Sequence, residues 1–230
     1  MGGEKSLNNQ RKPMVLVFAG PNGSGKSTIT EYFEIVGRYT NADDMVRTSF
    51  ISNEEAAIQA DELRYESIRQ KEDFTFETVL SSEYKIRILR AAKEAGYFIK
   101  CVFVLTASAD LNVARVRSRA SLGGHDVDPG KVRERYRKSL SNISVLMEIC
   151  DILHVYDNTN SKPVRIVRKH KDDITIYPNK DWSEAALLSL INAWIKVCSK
   201  HLISEKIWDV LASSATITRQ HLDICGGGKM

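Results

Sequence analysis

A parallel α/β sheet covered by helices is the fold class that three features of the chain predict. Val15-Leu16-Val17-Phe18-Ala19 and Phe98 to Leu105 are apolar without alternation, the pattern of strands buried on both faces. Segments with apolar residues at helical spacing separate such runs, giving a β-α-β-α rhythm. A glycine-rich turn, residues 20–25, joins the first strand directly to the first helix.

The elements follow in order. Residues 1–12 are polar and read as a flexible arm. Lys26 to Val36 places Ile29, Tyr32, Phe33 and Val36 at helical spacing, with Gly37 closing the helix. A short strand precedes Asn41-Ala42-Asp43-Asp44, and Ser52 with Glu55 three residues on predicts a capping box at the head of the next helix. Phe74-Thr75-Phe76-Glu77-Thr78 has the β-branched and aromatic content of a strand. A helix over 82–95 carries Ile88, Leu89 and Ala92 on one face and stops at Gly96. After the strand Phe98 to Leu105, helix returns from Leu111 to Ala120.

Residues 121–127 break the pattern, and Asp128-Pro129 supplies an N-cap and a first-turn proline for a long helix. Val132, Tyr136, Leu140, Ile143 and Met147 mark its buried stripe. Ile152 to Tyr156 reads as the last core strand, ending at Asp157-Asn158, and Val164–Val167 with Ile174–Tyr177 suggests a hairpin. Trp182 to His201 predicts an amphipathic helix that could cover the core or form a dimer seam. A second helix is expected over 205–211 and a disordered tail over 225–230. The expected organisation is an arm (1–12), a core (13–178) with a lid over about 115–137, and a helical C-terminal extension (179–230).

Composition narrows the classes. The 230 residues include 33 Lys and Arg against 29 Asp and Glu, a formal charge of +4 and too mild a bias for a nucleic-acid polyelectrolyte. With 43% hydrophobic and 27% charged residues, the chain can bury one full-sized core, which excludes wholesale disorder. Cys101, Cys150, Cys198 and Cys225 have no paired ligand spacing, which argues against a zinc finger, a thioredoxin-like site or a disulfide scaffold. They read as reduced thiols of a cytoplasmic protein. Met1-Gly2-Gly3-Glu4-Lys5-Ser6 meets only the bare myristoylation pattern. The apolar run Ala185 to Val197 is interrupted by Ser189, Asn192 and Lys196, short of the roughly 20 residues a membrane span needs.

Gly20-Pro21-Asn22-Gly23-Ser24-Gly25-Lys26-Ser27-Thr28 matches G-x-x-x-x-G-K-[ST]. In such a loop the glycines let backbone N–H groups curl round a polyphosphate at a helix N-terminus. Lys26 would reach the β- and γ-phosphates, and Ser27 would give an oxygen to Mg²⁺. This is the P-loop of an NTPase, set between a buried strand and a helix as the motif requires. A GTPase would need Asn-Lys-x-Asp after a late strand, whereas Asn179-Lys180-Asp181 lacks the spacer. An ABC ATPase would need a strand ending in Asp-Glu soon after Ser121-Leu122-Gly123-Gly124-His125, and none follows.

Residues 111–140 point instead to a kinase of small molecules. Arg115, Arg117, Arg119, Arg133, Arg135 and Arg137 surround a Gly-Gly-His loop, as in an Arg-rich lid that closes over ATP. Transfer to a hydroxyl also needs a carboxylate to orient and deprotonate the acceptor. Asp43 or Asp44 stands at the carboxyl edge of the sheet, where ligands of such folds bind. Asp44 could instead merely start the next helix. Glu77 ends the third strand at the same edge and could hold Mg²⁺ through water or pair with an arginine.

At these residues the sequence resembles the zeta toxin family, P-loop kinases of bacterial toxin–antitoxin systems and their chromosomal relatives. The resemblance rests on residues 20–28, Asn41-Ala42-Asp43, Phe76-Glu77-Thr78 with Leu80-Ser81, Gly123-Gly124-His125-Asp126-Val127, Arg133–Tyr136 and Asp157-Asn158, spanning about 14–160. It implies ATP- and Mg²⁺-dependent phosphorylation of a hydroxyl on UDP-N-acetylglucosamine, and a small antitoxin as partner. It implies phosphate and metal binding by Lys26 and Ser27, Asp43 as base, and an acceptor contact at Glu77, which we extend to Thr78. Arg119 and one arginine of 133–137, assigned to Arg135, would clamp phosphate, with His125 as an alternative contact. The lid is shorter than in the longer toxins. A kinase of another metabolite or of nucleic-acid 5′-ends, and an ATP-gated binding module without catalysis, are the competing readings.

Overall fold

The computed structural model describes residues 11–49, 51–124 and 127–198. In chain order these form β1 (Met14–Ala19), α1 (Lys26–Thr30), β2 (Arg38–Thr40), α2 (Ala42–Ser49), α3 (Asn53–Gln70), β3 (Phe74–Thr78) and α4 (Glu83–Glu94). Then come β4 (Phe98–Leu105), α5 (Ala109–Ser121), α6 (Pro129–Ser141), α7 (Ile143–Ile149), β5 (Ile152–Asp157), β6 (Val164–His170), β7 (Asp173–Ile176) and α8 (Glu184–Cys198).

The strands make one sheet in the order β2-β3-β1-β4-β5-β6-β7. The first five run parallel, and β6 and β7 add an antiparallel hairpin at one edge. The unbroken apolar runs lie in the middle: β1 sits between β3 and β4, with Val15 to Ala19 buried. The pleat sends Val15, Val17, Phe103 and Val155 into the main core. Leu16, Phe18, Val102 and Val104 face the other way, against Ile29 of α1. Because every parallel strand ends on the same side, the turns after β1, β2 and β3 collect there.

The expected hairpin forms, and β6 carries Ile166 and Val167 into the core, so β5 is not the last core strand. The capping box at Ser52 and Glu55 is present, as is the Asp128 cap with Pro129 in the first turn of α6. Three expectations need correction. The helix predicted over Lys26 to Val36 stops at Thr30, and Tyr32 is 75% exposed. Beyond it the chain is captured by β3: Val36 N–H donates to Thr75 Oγ1 (3.0 Å), which donates back to Val36 O (2.7 Å). The long helix after Pro129 is two helices, α6 and α7, broken where Asn142 Nδ2 donates to Leu80 O (2.9 Å). Residues 42–49 form a helix of their own, α2, ahead of the capping box.

At the C-terminal side Trp182, Leu187, Leu188 and Ile191 belong to the main core, so the start of α8 covers the sheet domain. Among the described residues no helix is long and apolar enough to cross a membrane. The arm residues 1–10, the helix expected over 205–211 and the tail 225–230 lie outside the described residues.

Candidate active site

The site is built from the turns at the carboxyl ends of β1, β2 and β3. After Ala19 the chain enters the glycine loop, whose first amide, Gly20 N–H, donates to Thr78 O (3.2 Å). Two asparagines then hold the loop by its carbonyls: Asn112 Nδ2 donates to Asn22 O (2.8 Å) and Asn158 Nδ2 to Ser24 O (2.9 Å). Gly25 has φ 88°, and a Cβ there would overlap Asn158 Nδ2, so the loop needs glycine for both conformation and space. Ser24 Oγ is buried and finds no hydrogen-bond partner among the described residues. A glycine cradle at a helix N-terminus, with an orphaned buried hydroxyl beside a lysine, fits a polyphosphate.

Lys26 Nζ donates to Gly20 O (2.9 Å) and Pro21 O (3.3 Å). Burial lowers its pKa, and the Glu77 and Asp43 carboxylates oppose that shift. Ser27 and Thr28 are exposed at the mouth of the loop. Ser27 lines the cavity there, and its hydroxyl is one that could hold a metal ion.

The structure separates the two aspartates. Asp44 pairs with Arg47 within the first turns of α2 and does not line the two cavities described below. Asp43, whose N–H donates to Asn41 Oδ1 (3.1 Å), lines the site. Glu77 is 8% exposed and accepts from Thr30 Oγ1 (3.0 Å) and Tyr39 OH (2.9 Å). Burial, followed by the Glu77 charge, pushes the Tyr39 phenol up, keeping it a donor. Thr78 is buried, and its Oγ1 accepts the Leu80 N–H (3.1 Å), which shapes the turn after β3.

Two cavities of about 670 Å³ and 640 Å³ adjoin here. Asn22, Lys26, Asn41, Asp43, Glu77 and Arg119 line both. The first continues along the P-loop to Ser27, Arg115 and Asn158. The second extends under the turn after β3 to Thr78, Lys85 and Arg135.

The six arginines of residues 111–140 divide by environment. Arg119 faces both cavities, and Arg135 lines the second, where its Nη1 donates to Asn22 Oδ1 (3.4 Å). Arg115 donates to Asn158 O (2.9 Å) and Thr159 O (3.1 Å), bracing the asparagine that braces the loop. Arg133 is tied to Asp110, while Arg117 and Arg137 are exposed. His125 lies outside the described residues. Sequence reasoning missed Asn112 and the buried Asp61 and Arg64 of α3. Each stands in an ordinary helical run, and only the low exposure of polar or charged side chains reveals them.

No family model matches the sequence. A functionally uncharacterised protein of Haemophilus influenzae is 26% identical over 127 residues, 53% of this chain and 91% of that protein. Among solved structures, the AvrRxo1-ORF1:-ORF2 complex superposes with a TM-score of 0.58 at 14% identity, covering 91% of this chain and 72% of that one. The same complex with ATP gives 0.57 at 15% identity, covering 88% and 71%. A chain of the PezAT chromosomal toxin–antitoxin system of Streptococcus pneumoniae gives 0.52 at 12% identity, covering 85% and 90%. The chain has a zeta-toxin-like fold. Within this zeta-toxin-like fold, most of the motifs behind the resemblance converge: Asp43, Glu77 and Asn158 meet the P-loop at one sheet edge.

Proposed function

We propose that this chain is an ATP-dependent kinase that transfers the γ-phosphoryl group to a hydroxyl of a nucleotide sugar, UDP-N-acetylglucosamine. The observation that carries the reading is the meeting of two cavities at Lys26, Asp43, Glu77 and Arg119. One cavity runs along a phosphate-binding loop and the other leads away from it, so a donor and an acceptor can share one reacting centre. A related fold solved with ATP supports the choice of donor.

In this reading the loop amides and Lys26 hold the β- and γ-phosphates, and Ser27 would hold Mg²⁺, which would supply charge neutralisation on the phosphates. Asp43 accepts the proton of the acceptor hydroxyl as the new O–P bond forms and the bond to the β-phosphate breaks. Arg119 and Arg135 offset charge on the transferring group. Glu77, held by Tyr39 and Thr30, orients the acceptor together with Thr78. As two of the similar structures belong to toxin–antitoxin or two-component complexes, a small neutralising protein partner is part of the proposal.

The test is incubation with Mg·ATP and UDP-N-acetylglucosamine, read by mass spectrometry for a product heavier by one phosphoryl group. Asp43→Ala should lower turnover roughly 10²–10⁴-fold while ATP affinity is kept. A wild-type protein that binds ATP and phosphorylates neither this sugar nor any metabolite of a cell extract would refute the kinase reading. Labelling of an oligonucleotide 5′-end would move the acceptor to nucleic acid.

A further inference from the structure

An ion triad beneath the second cavity has no part in the roles assigned above. Arg64, on α3, is 2% exposed, and Asp61, one turn earlier, is 3% exposed. Arg64 Nη1 donates to Asp61 Oδ1 (2.8 Å), and Lys85 Nζ of α4 donates to both Asp61 oxygens (3.1 and 2.8 Å). The rest of the guanidinium turns to the sheet. Its Nε donates to Thr40 Oγ1 (2.9 Å), and its Nη2 to Thr40 O and to Glu77 O (3.4 Å each). Its face lies 4.5 Å from the centroid of the Phe76 ring.

The position of these acceptors gives the contact its meaning. The ladder between β2 and β3 pairs three residues and ends with Thr40 opposite Phe76. Thr40 is the last residue before Asn41 and the first turn of α2, which carries Asp43, and Glu77 is the next residue along β3. Arg64 therefore bridges the two strands at the end of their ladder, from Thr40 of the last pair to Glu77 one residue beyond it, where the two carboxylate-bearing segments begin. Stability alone gives little reason for the device, because a buried ion pair is often no better than apolar packing of the same volume. A rigid cross-tie at a reacting centre has such a reason, since small misplacements there cost rate.

We propose that Arg64 is a positioning residue for phosphoryl transfer, fixing the Asp43 turn relative to Glu77. The inference rests on the kinase reading. Asp61 holds the guanidinium in place and links it to Lys85, which lines the acceptor cavity.

Arg64→Lys tests it, because an ammonium keeps the charge opposite Asp61 but cannot span Thr40 and Glu77 together. Ile68→Ala, in the same helix one turn on, is the comparison: it removes core packing and leaves the cross-tie. Steady-state kinetics, thermal melts and amide hydrogen exchange at residues 41–43 and 78–79 are measured on both full-length variants. In Arg64→Lys, kcat should fall about a hundredfold with the KM for ATP little changed, and exchange at both segments should quicken. Ile68→Ala should melt lower and keep its kcat below the melt. Wild-type kcat in Arg64→Lys, or a loss matched by Ile68→Ala at equal melting temperature, overturns the inference. So does unchanged exchange at the two segments. A wild type without phosphoryl transfer overturns the kinase reading instead, while the exchange result still decides whether Arg64 ties the strands.

Discussion

Alanine at Gly25 should cost the protein more than alanine at Gly96, although the two glycines have nearly the same backbone, φ 88° and φ 82°. Either substitution forces an L-residue into the left-handed region, at about 1–2 kcal/mol. At Gly96 no atom of the described residues lies within 4 Å of the new Cβ, so that strain is the whole effect. At Gly25 the Cβ overlaps Asn158 Nδ2, whose displacement breaks its bond to Ser24 O. Leaving a buried carbonyl unpaired adds about 1–3 kcal/mol. Gly25→Ala should therefore unfold in urea at about 2–5 kcal/mol below wild type, by summing the two effects. Calorimetric titration with Mg·ATP should show binding weakened at least about tenfold in Gly25→Ala, since about 1.4 kcal/mol suffices for that factor, and unchanged in Gly96→Ala. Equal stability of the two variants with ATP binding retained in both would refute the account of the loop as a cradle held shut by Asn158.

Three further outcomes are expected. Burial, then Arg165, Lys100, Arg168 and His170, push the His154 imidazole down from 6.5 to about 4. The unfolded chain thus binds more protons between those values, so stability is complete above pH 6.5 and declines as pH falls toward 4. His154→Gln should flatten that slope in urea unfolding at pH 4.5 and 7.5, and an unaltered slope would place its origin elsewhere. Leu187→Ala should cost about 2–5 kcal/mol, as for any fully buried leucine. A loss within the noise of the urea curves would detach α8 from the core. Lys26→Ala should abolish the rise in melting temperature that Mg·ATP gives wild type, and a retained rise would mean the loop does not hold the phosphates.

The P-loop, the strand runs and the caps at Ser52 and Asp128 were legible because each is a local signal with a local cause. The capping box needs only Ser52 and Glu55, and β4 needs only an uninterrupted apolar run. Periodicity misled where a distant residue decided the outcome. Ile29, Tyr32, Phe33 and Val36 are spaced for a helix, yet Thr75 of the neighbouring strand β3 takes both the N–H and the C=O of Val36. Val132 to Met147 are spaced for one helix, yet it breaks at Asn142, whose side chain is anchored to the Leu80 carbonyl. At the site the same division holds. Asp43 and Glu77 stand out from their places at strand ends, whereas Arg64 cannot be told from the exposed Arg69 of the same helix until the β2–β3 pairing puts Thr40 and Glu77 on either side of it.

The central place of β1 has a consequence for how such a chain can change its substrate. Its neighbours are β3 on one side and β4 on the other. The loop that follows β1 is braced from the β4 and β5 side, by Asn112 and Asn158. The opposite side, α3, α4 and the turn after β3, supplies much of the far wall of the second cavity, Ala57, Ser82 and Lys85 among it. In the proposed kinase the braces of the phosphate loop and part of the acceptor wall thus lie on opposite flanks of one strand. In the proposed kinase, Ala57 and Ser82 can be exchanged to admit a different acceptor while Asn112 and Asn158 keep the nucleotide loop as it is.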